Sequence, residues 1–257
     1  MTTEIQTSGT RSVRLAFACP SYGPIDSRAL RSQRAAVMHA SNRGVLWLGD
    51  VSPERMLIDG ARNTVIKQYL GGVHELQKSE PDKVQGLFWV DNDIVLPIDA
   101  ITRLADALLR GHDFVTGIYV QRMRPHWPLI ANFDSKRETF RWLVDWPENT
   151  LAPVDGCGFG VAVTSAKLLG AMADNYPNPF EFTKYSEDFT FCRRAAILGY
   201  QLYVDTGVQC GHLMDPEPAT VAHFKAVVAA GPHRIQSPQS ASGGDDGHGA
   251  GDDRSGQ

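Results

Sequence analysis

The sequence predicts an α/β protein: a mixed, mainly parallel sheet flanked by helices, in a single domain. Three observations carry that expectation. Short apolar runs of strand length alternate with segments of helical composition, the runs stop at Pro, Gly or Asp, and one middle stretch alternates polar and apolar residues about a turn. Alternation of strand and helix implies right-handed crossovers and parallel pairing, while the middle stretch adds antiparallel strands.

The first strand is "VRLAFACP", residues 13 to 20, an apolar run stopped by proline. After the loop "PSYGPID", Arg28 to Ala40 has helical composition, and "VLWLG" from Val45 reads as a second buried strand leading into Asp50. "MLIDGARNTVIKQYL" spaces Ile58, Val65 and Leu70 as an amphipathic helix that should end at Gly71 and Gly72. "VQGLFWVD" is the third strand, "PIDAITRLADALLRG" a helix with Pro at its start and Gly at its end, and "DFVTGIYV" the fourth strand. "ANFDSKRETFRWLVDW" reads as an antiparallel hairpin about Ser-Lys-Arg. A strand through "LAPVDGCGFGVAVT", a helix "SAKLLGAMAD", a Pro-rich loop, a helix from Ser186 to about Leu198 and a strand "QLYVDTG" follow, and "VQCGHL" closes the ordered part. The expected organisation is a flexible leader over 1–11, one domain over 12–231, and a disordered tail rich in Gly, Asp and Ser over 232–257.

With 257 residues, 42% apolar and 21% charged, the chain can bury a substantial core. A net charge of -4 excludes the overall basic footprint of strong non-specific nucleic-acid binding, although Arg122 and Arg124 offer a local basic patch. Cys19, Cys157, Cys192 and Cys210 form no C-x-x-C pair, which speaks against a zinc ribbon or a thioredoxin-like motif and fits a reducing cytosol. The polar start "MTTEIQTSGTRS" lacks the apolar centre of a signal peptide, and no run approaches the roughly 20 apolar residues of a membrane span. The expectation is a cytoplasmic protein.

Ligands of an open α/β sheet bind beyond the carboxyl ends of its strands, and those ends here are Pro20 to Tyr22, Asp50, Asp91 to Asp93, Tyr119 onward and the turn near Gly156. Asp91 and Asp93 in "WVDND" form a strand-end pair whose mutual repulsion a divalent cation would relieve; a capped turn explains the same residues. Glu187 and Asp188 open a helix behind Ser186, which cap and dipole preferences also explain. His212 lies just past a strand end. Gly156, Gly158 and Gly160 permit either close backbone approach to a sugar or a bulged strand turn. Trp89 reads as core and Trp127 as the loop aromatic best suited to stack on a sugar, while Cys157 lacks a recognisable base for nucleophilic work.

Taken in order, "PSYG", "ARN", "WVDND", "TGIYVQR", "DGCGFGVAVTSAKLL", "SEDFTFCRRAAILGY" and "VDTGVQCGH" resemble the motifs of metal-dependent, nucleotide-sugar-using glycosyltransferases of the GT-A fold, especially family-2-like enzymes and short proteins of bacteriophage genomes. The likeness runs over about residues 13 to 213. It implies that Asp93, with His212, binds Mn2+ or Mg2+ bridging the donor diphosphate, and that Asp91 lies by the ribose or the metal. Pro20, Tyr22 and Asp50 would line the base pocket, with Arg62 and Asn63 near the nucleotide. Asp188 would be the base of an inverting enzyme and Glu187 its neighbour toward the acceptor. The implied donor is a UDP- or GDP-sugar; the acceptor hydroxyl, on modified DNA, a protein or a glycan, stays open, as do stereochemistry and oligomeric state. The middle Asn92 departs from a plain acidic triplet, and the missing Q-x-x-R-W motif speaks against polymer synthesis. A nucleotidyltransferase on a related fold and a non-catalytic nucleotide-sugar binder are the rival readings.

Overall fold

The computed structural model describes residues 13–74, 84–214 and 218–230. The leader over 1–11 and the tail over 232–257 expected from composition lie outside the described residues.

The chain begins β1 (Val13–Ala18), α1 (Ser27–Asn42), β2 (Leu46–Asp50) and α2 (Ile58–Gln68), the last continuing as a π-helical segment over Tyr69–His74. Next come β3 (Val84–Val90), the two-residue β4 (Ile94–Val95), α3 (Ala100–Leu109) and β5 (Phe114–Ile118). A hairpin of β6 (Ile130–Asp134) and β7 (Thr139–Trp142) leads into β8 (Leu151–Val154), β9 (Gly156–Cys157) and β10 (Val161–Ser165). The remainder is α4 (Ala166–Asn175), α5 (Glu187–Ile197), β11 (Leu202–Gln209), β12 (Gly211–His212) and α6 (Val221–Ala229).

Seven strands form the central sheet in the order β2-β1-β3-β10-β5-β11-β8. β2, β1, β3, β5 and β11 point one way, while β10, wedged between β3 and β5, and β8, at the far edge, run against them. The sheet is therefore mixed and mainly parallel, as expected. Period-2 alternation sends β3 side chains to two different cores, which is why its run is apolar throughout. Leu87 and Trp89 pack with Val65 and Ile66 of α2, Leu168 and Met172 of α4 and Phe191 of α5. Phe88 and Val90 pack on the other face with Ala36 of α1 and Ile101, Leu104 and Leu108 of α3.

Local chemistry fixes the helix ends. The Asp26 carboxylate accepts the Arg28 N–H at 2.7 Å to start α1, and the Ser165 hydroxyl accepts the Leu168 N–H at 3.0 Å to start α4. Gly111 at φ 93° follows α3, a left-handed position that glycine takes without strain.

Four elements differ from expectation. β2 is half exposed because it is a sheet edge with β1 as its one neighbour. The helix of "MLIDGARNTVIKQYL" runs through Gly71 and Gly72 instead of stopping there. "LAPVDGCGFGVAVT" is three strands, since β8 pairs with β11, β9 with β6, and β10 with β3 and β5. α6 was not expected; it docks through Phe224, which packs on Trp127 and Trp146 with ring centroids 6.0 Å apart in each pair. That contact buries Trp127 to 4% exposure, so Trp127 is core and not a loop platform.

Candidate functional site

Because β10 is antiparallel to its neighbours, its entry segment Gly158 to Gly160 meets the carboxyl ends of β3 and β5. Asp91 donates its backbone N–H to the Gly160 carbonyl at 3.0 Å, closing that junction. From α1, the buried Gln33 amide donates to the carbonyls of Asp91 at 3.0 Å and Ile94 at 3.3 Å, fixing the turn that displays the acids.

The two aspartates face different partners. Both Asp91 oxygens lie 3.3 Å from Arg62 Nη2. Asp93 Oδ2 lies 3.2 Å from His212 Nε2 and 3.4 Å from Arg122 Nη1. His212 reaches it across 119 positions because β12 pairs with β4, setting His212 opposite Ile94, while Leu213 donates its N–H to the Asp93 carbonyl at 2.8 Å. His212 Nδ1 lies 2.8 Å from the Val120 carbonyl oxygen. A carbonyl only accepts, so Nδ1 carries a proton; Nε2 faces Asp93, as a second N–H donor when the ring is charged and as a lone pair when it is neutral. With Nε2 and Oδ2 only 3.2 Å apart, either a proton or a cation sits between them.

Arg62 ties the acids of β3 to those of α5. Its guanidinium is 3% exposed, donates to Glu187 Oε1 at 2.7 Å, and lies over the rings of Phe159 and Phe180 at 5.5 and 5.7 Å. Its Nε is buried without a partner among the described residues. Burial opposes its charge, but Asp91 and Glu187 outweigh that and hold it firmly protonated. Burial also pushes the Asp91 carboxyl up against the pull of Arg62, and burial with the adjacent Asp188 pushes Glu187 up to about 7. Asp93 goes the other way: burial resists ionisation, yet His212 and Arg122 hold it below the usual carboxylate value.

Asp188 projects from the first turn of α5. Its Oδ1 accepts the Ser186 hydroxyl and, at 3.0 Å, the Phe189 N–H. Its Oδ2 lies 3.4 Å from where a side chain on Gly158 would begin. Tyr119 fills the adjoining space, its hydroxyl accepting the Gly160 N–H at 2.8 Å and its ring standing edge-on to His212 at 5.5 Å. A Cβ on Gly158 or Gly160 would approach Tyr119 to 2.1 or 2.6 Å. Tyr119 thus accounts for both glycines. Burial, then Asp91 and Asp188, push its phenol well above the ordinary value.

A cleft of about 920 Å3 opens beyond β1 and β2, lined by Phe17, Cys19, Tyr22, Arg34, Trp47 and Asp50 among others. Asp50 Oδ1 accepts the Ser52 hydroxyl, whose oxygen accepts the Cys19 N–H at 2.8 Å. The Cys19 thiol is pushed up to about 12 by burial and then by Asp91, Asp50 and Asp93, so the cleft adjoins the acids of β3.

The structure gathers half-buried Asp91 and Asp188 about the buried Arg62 and Glu187 and sets Asp93 with His212 beside them. Tyr22 and Asp50 line the cleft; Pro20 is buried and is not part of that lining. Asn63 is spent elsewhere: its amide nitrogen donates to the Phe180 carbonyl at 2.7 Å and its oxygen accepts the Phe180 N–H at 3.0 Å. Cys157 is fully buried, 4.0 Å from the Cys192 sulfur. Among the described residues no group of three or more His, Cys, Asp and Glu is placed to hold a metal. Sequence reasoning gave Gln33, Trp47 and Ser52 no place in the site, and it set Tyr119 at a strand end facing the crevice without assigning it a role. For Tyr119 a signal existed, since it stands one residue past a strand that ends at this crevice.

No family model and no curated protein matches the chain. Solved structures similar in chain path include A197 from STIV, with a TM-score of 0.48 and 16% identity over 79% of this chain and 86% of that one. GalNAc-T7 with UDP, GalNAc and Mn2+ gives 0.46 and 10% identity over 79% of this chain and 43% of the other, so the chain spans under half of it. The inositol-1-phosphate CTP transferase from T. maritima gives 0.41 and 9% identity over 80% and 91%.

Proposed function

We propose that the protein is a metal-dependent glycosyltransferase of the GT-A type, moving a sugar from a UDP- or GDP-sugar to a hydroxyl acceptor. The observation that carries the reading is the meeting, at the carboxyl ends of one sheet, of Asp93 with His212, of Asp91 and Glu187 through Arg62, and of Asp188 facing the glycine turn. The adjoining cleft, with Tyr22 and Trp47 for stacking and Asp50 to accept from a nucleobase N–H, supports a nucleotide there.

Asp93 and His212 fit a divalent ion, Mn2+ or Mg2+. Val120 fixes the ring so that Nε2, the ligating nitrogen, faces Asp93. They would supply one carboxylate oxygen and one imidazole nitrogen, and the imidazole would favour Mn2+. Such an ion, when bound, stabilises the charge on the departing nucleoside diphosphate. Arg122, exposed and beside Asp93, can turn to the same phosphates. Asp188 Oδ2 takes the acceptor hydroxyl's proton as the new C–O bond forms, while Ser186 and the Phe189 N–H hold Oδ1 in place. Glu187 and Asp91 are positioning groups, locked by Arg62.

The test is release of UDP or GDP from UDP-glucose, UDP-galactose, UDP-GlcNAc and GDP-mannose with Mn2+, with and without candidate acceptors. Metal-dependent release from one donor, lost in Asp93→Ala, is the expected result. Release of pyrophosphate from a nucleoside triphosphate and a sugar phosphate would replace the reading with nucleotidyl transfer.

A further inference from the structure

Away from the cleft, a second cavity of about 520 Å3 lies between the loop after β5 and α6. Its charged or ionisable lining among the described residues consists of Arg124, His126 and His223, with no carboxylate, in a chain of net charge -4. Ala226, Val227 and Ala230 form an apolar wall opposite.

The two imidazoles are oriented by the backbone. His126 is 4% exposed, and its Nδ1 lies 2.9 Å from the Gln121 carbonyl oxygen. Nδ1 therefore carries a proton and donates, which leaves Nε2 with no partner among the described residues. His223 is set the opposite way: its Nδ1 accepts the Thr220 N–H at 3.0 Å, so its Nε2 bears the ring proton. The rings stand 5.7 Å apart. Arg124 is exposed and makes no hydrogen bond or ion pair among the described residues. His126 Nε2 is not a fully buried atom, so its lone pair opens onto the cavity.

We infer that this cavity is a ligand site for a phosphoryl group carried on an apolar body. The Arg124 fork and the His223 Nε2–H donate to two terminal oxygens, and the third, protonated in a phosphate monoester monoanion, donates to the His126 Nε2 lone pair; a tetrahedral phosphoryl group has three such oxygens and a carboxylate lacks the third. The volume falls within the roughly 300–1,000 Å3 of small-molecule pockets and exceeds what a phosphate alone would fill. The remainder of the ligand lies along Ala226, Val227 and Ala230. The inference stands apart from the transferase reading, because its test measures binding and not turnover.

The experiment titrates n-octyl phosphate, inorganic phosphate and n-octanol into the 15N-labelled full-length chain and follows the histidine side-chain resonances. Saturable shifts of His126 and His223 with n-octyl phosphate are expected, with weaker binding of inorganic phosphate and none of n-octanol at equal concentration. Arg124→Ala, at an exposed position that leaves the core untouched, should weaken n-octyl phosphate by about tenfold or more, and His223→Gln should weaken it too. Absence of saturable shifts in the wild type, equal affinity for n-octanol, equal affinity for inorganic phosphate, shifts confined to His212, or unchanged affinity in Arg124→Ala would each overturn the assignment.

Discussion

Replacing Arg62 with Met removes the one cation seated between Asp91 and Glu187. The Arg62–Glu187 pair is tight, at 2.7 Å, and its side chains are 3% and 9% exposed, so its loss strands carboxylates away from water. Breaking a buried pair by removing one partner costs about 3–5 kcal/mol. For a domain of this size each kcal/mol lowers Tm by about 2–4 °C, so at pH 8 Arg62→Met should melt about 6–20 °C below the wild type. The loss depends on pH with a definite sign. Glu187 takes up a proton near 7 even with Arg62 present, and higher without it, so at pH 5 the stranded carboxyl is neutral and the deficit should shrink markedly. Circular-dichroism melts of both proteins at pH 5 and pH 8 read this directly. A deficit under about 1 kcal/mol at pH 8, or one equal at both pH values, would refute the network as described.

Other outcomes follow from the same geometry. Glu187 has a raised value in the fold, so its contribution to stability should fall as pH rises from about 4.5 to about 7; that slope should vanish in Glu187→Gln, measured by urea melts across the range. Asp188→Asn should leave donor binding within about twofold while cutting turnover by about 100-fold or more, as steady-state kinetics beside calorimetric titration would show. Gly160→Ala should cost about 1–3 kcal/mol, because its Cβ would meet the Tyr119 ring at 2.6 Å, and Tyr119→Ala in the same chain should make the added methyl nearly neutral.

Much of the fold was legible because parallel strands buried on both faces write continuous apolar runs, as "GLFWV" does in β3. The acids were legible because strand ends of an α/β sheet point at one crevice. What single-sequence reading could not supply was pairing. Whether Asp91 and Asp93 shared a partner depended on Arg62 and His212, 29 and 119 positions away from their respective acids. The role of Gly158 and Gly160 was open because the group that crowds them, Tyr119, comes from the loop just past β5, about 40 positions away. Trp127 read as a loop aromatic because α6, which covers it, carries a weak local signal in "VAHFKAVVA". Asn63 sat beside Arg62 in "ARN", yet a helix sends adjacent residues in different directions, one to the acids and one to the Phe180 loop.

The central claim is that Asp93 and His212, next to the Tyr22–Asp50 cleft, hold a divalent ion together with a nucleoside diphosphate. Calorimetric titration of UDP and of GDP, each with and without Mn2+, into the wild type and Asp93→Ala tests it most directly. The account predicts that one of the two binds at least tenfold more tightly with Mn2+ and that Asp93→Ala removes that gain. Mn2+-independent binding, or a Mn2+ gain undiminished in Asp93→Ala, would contradict it.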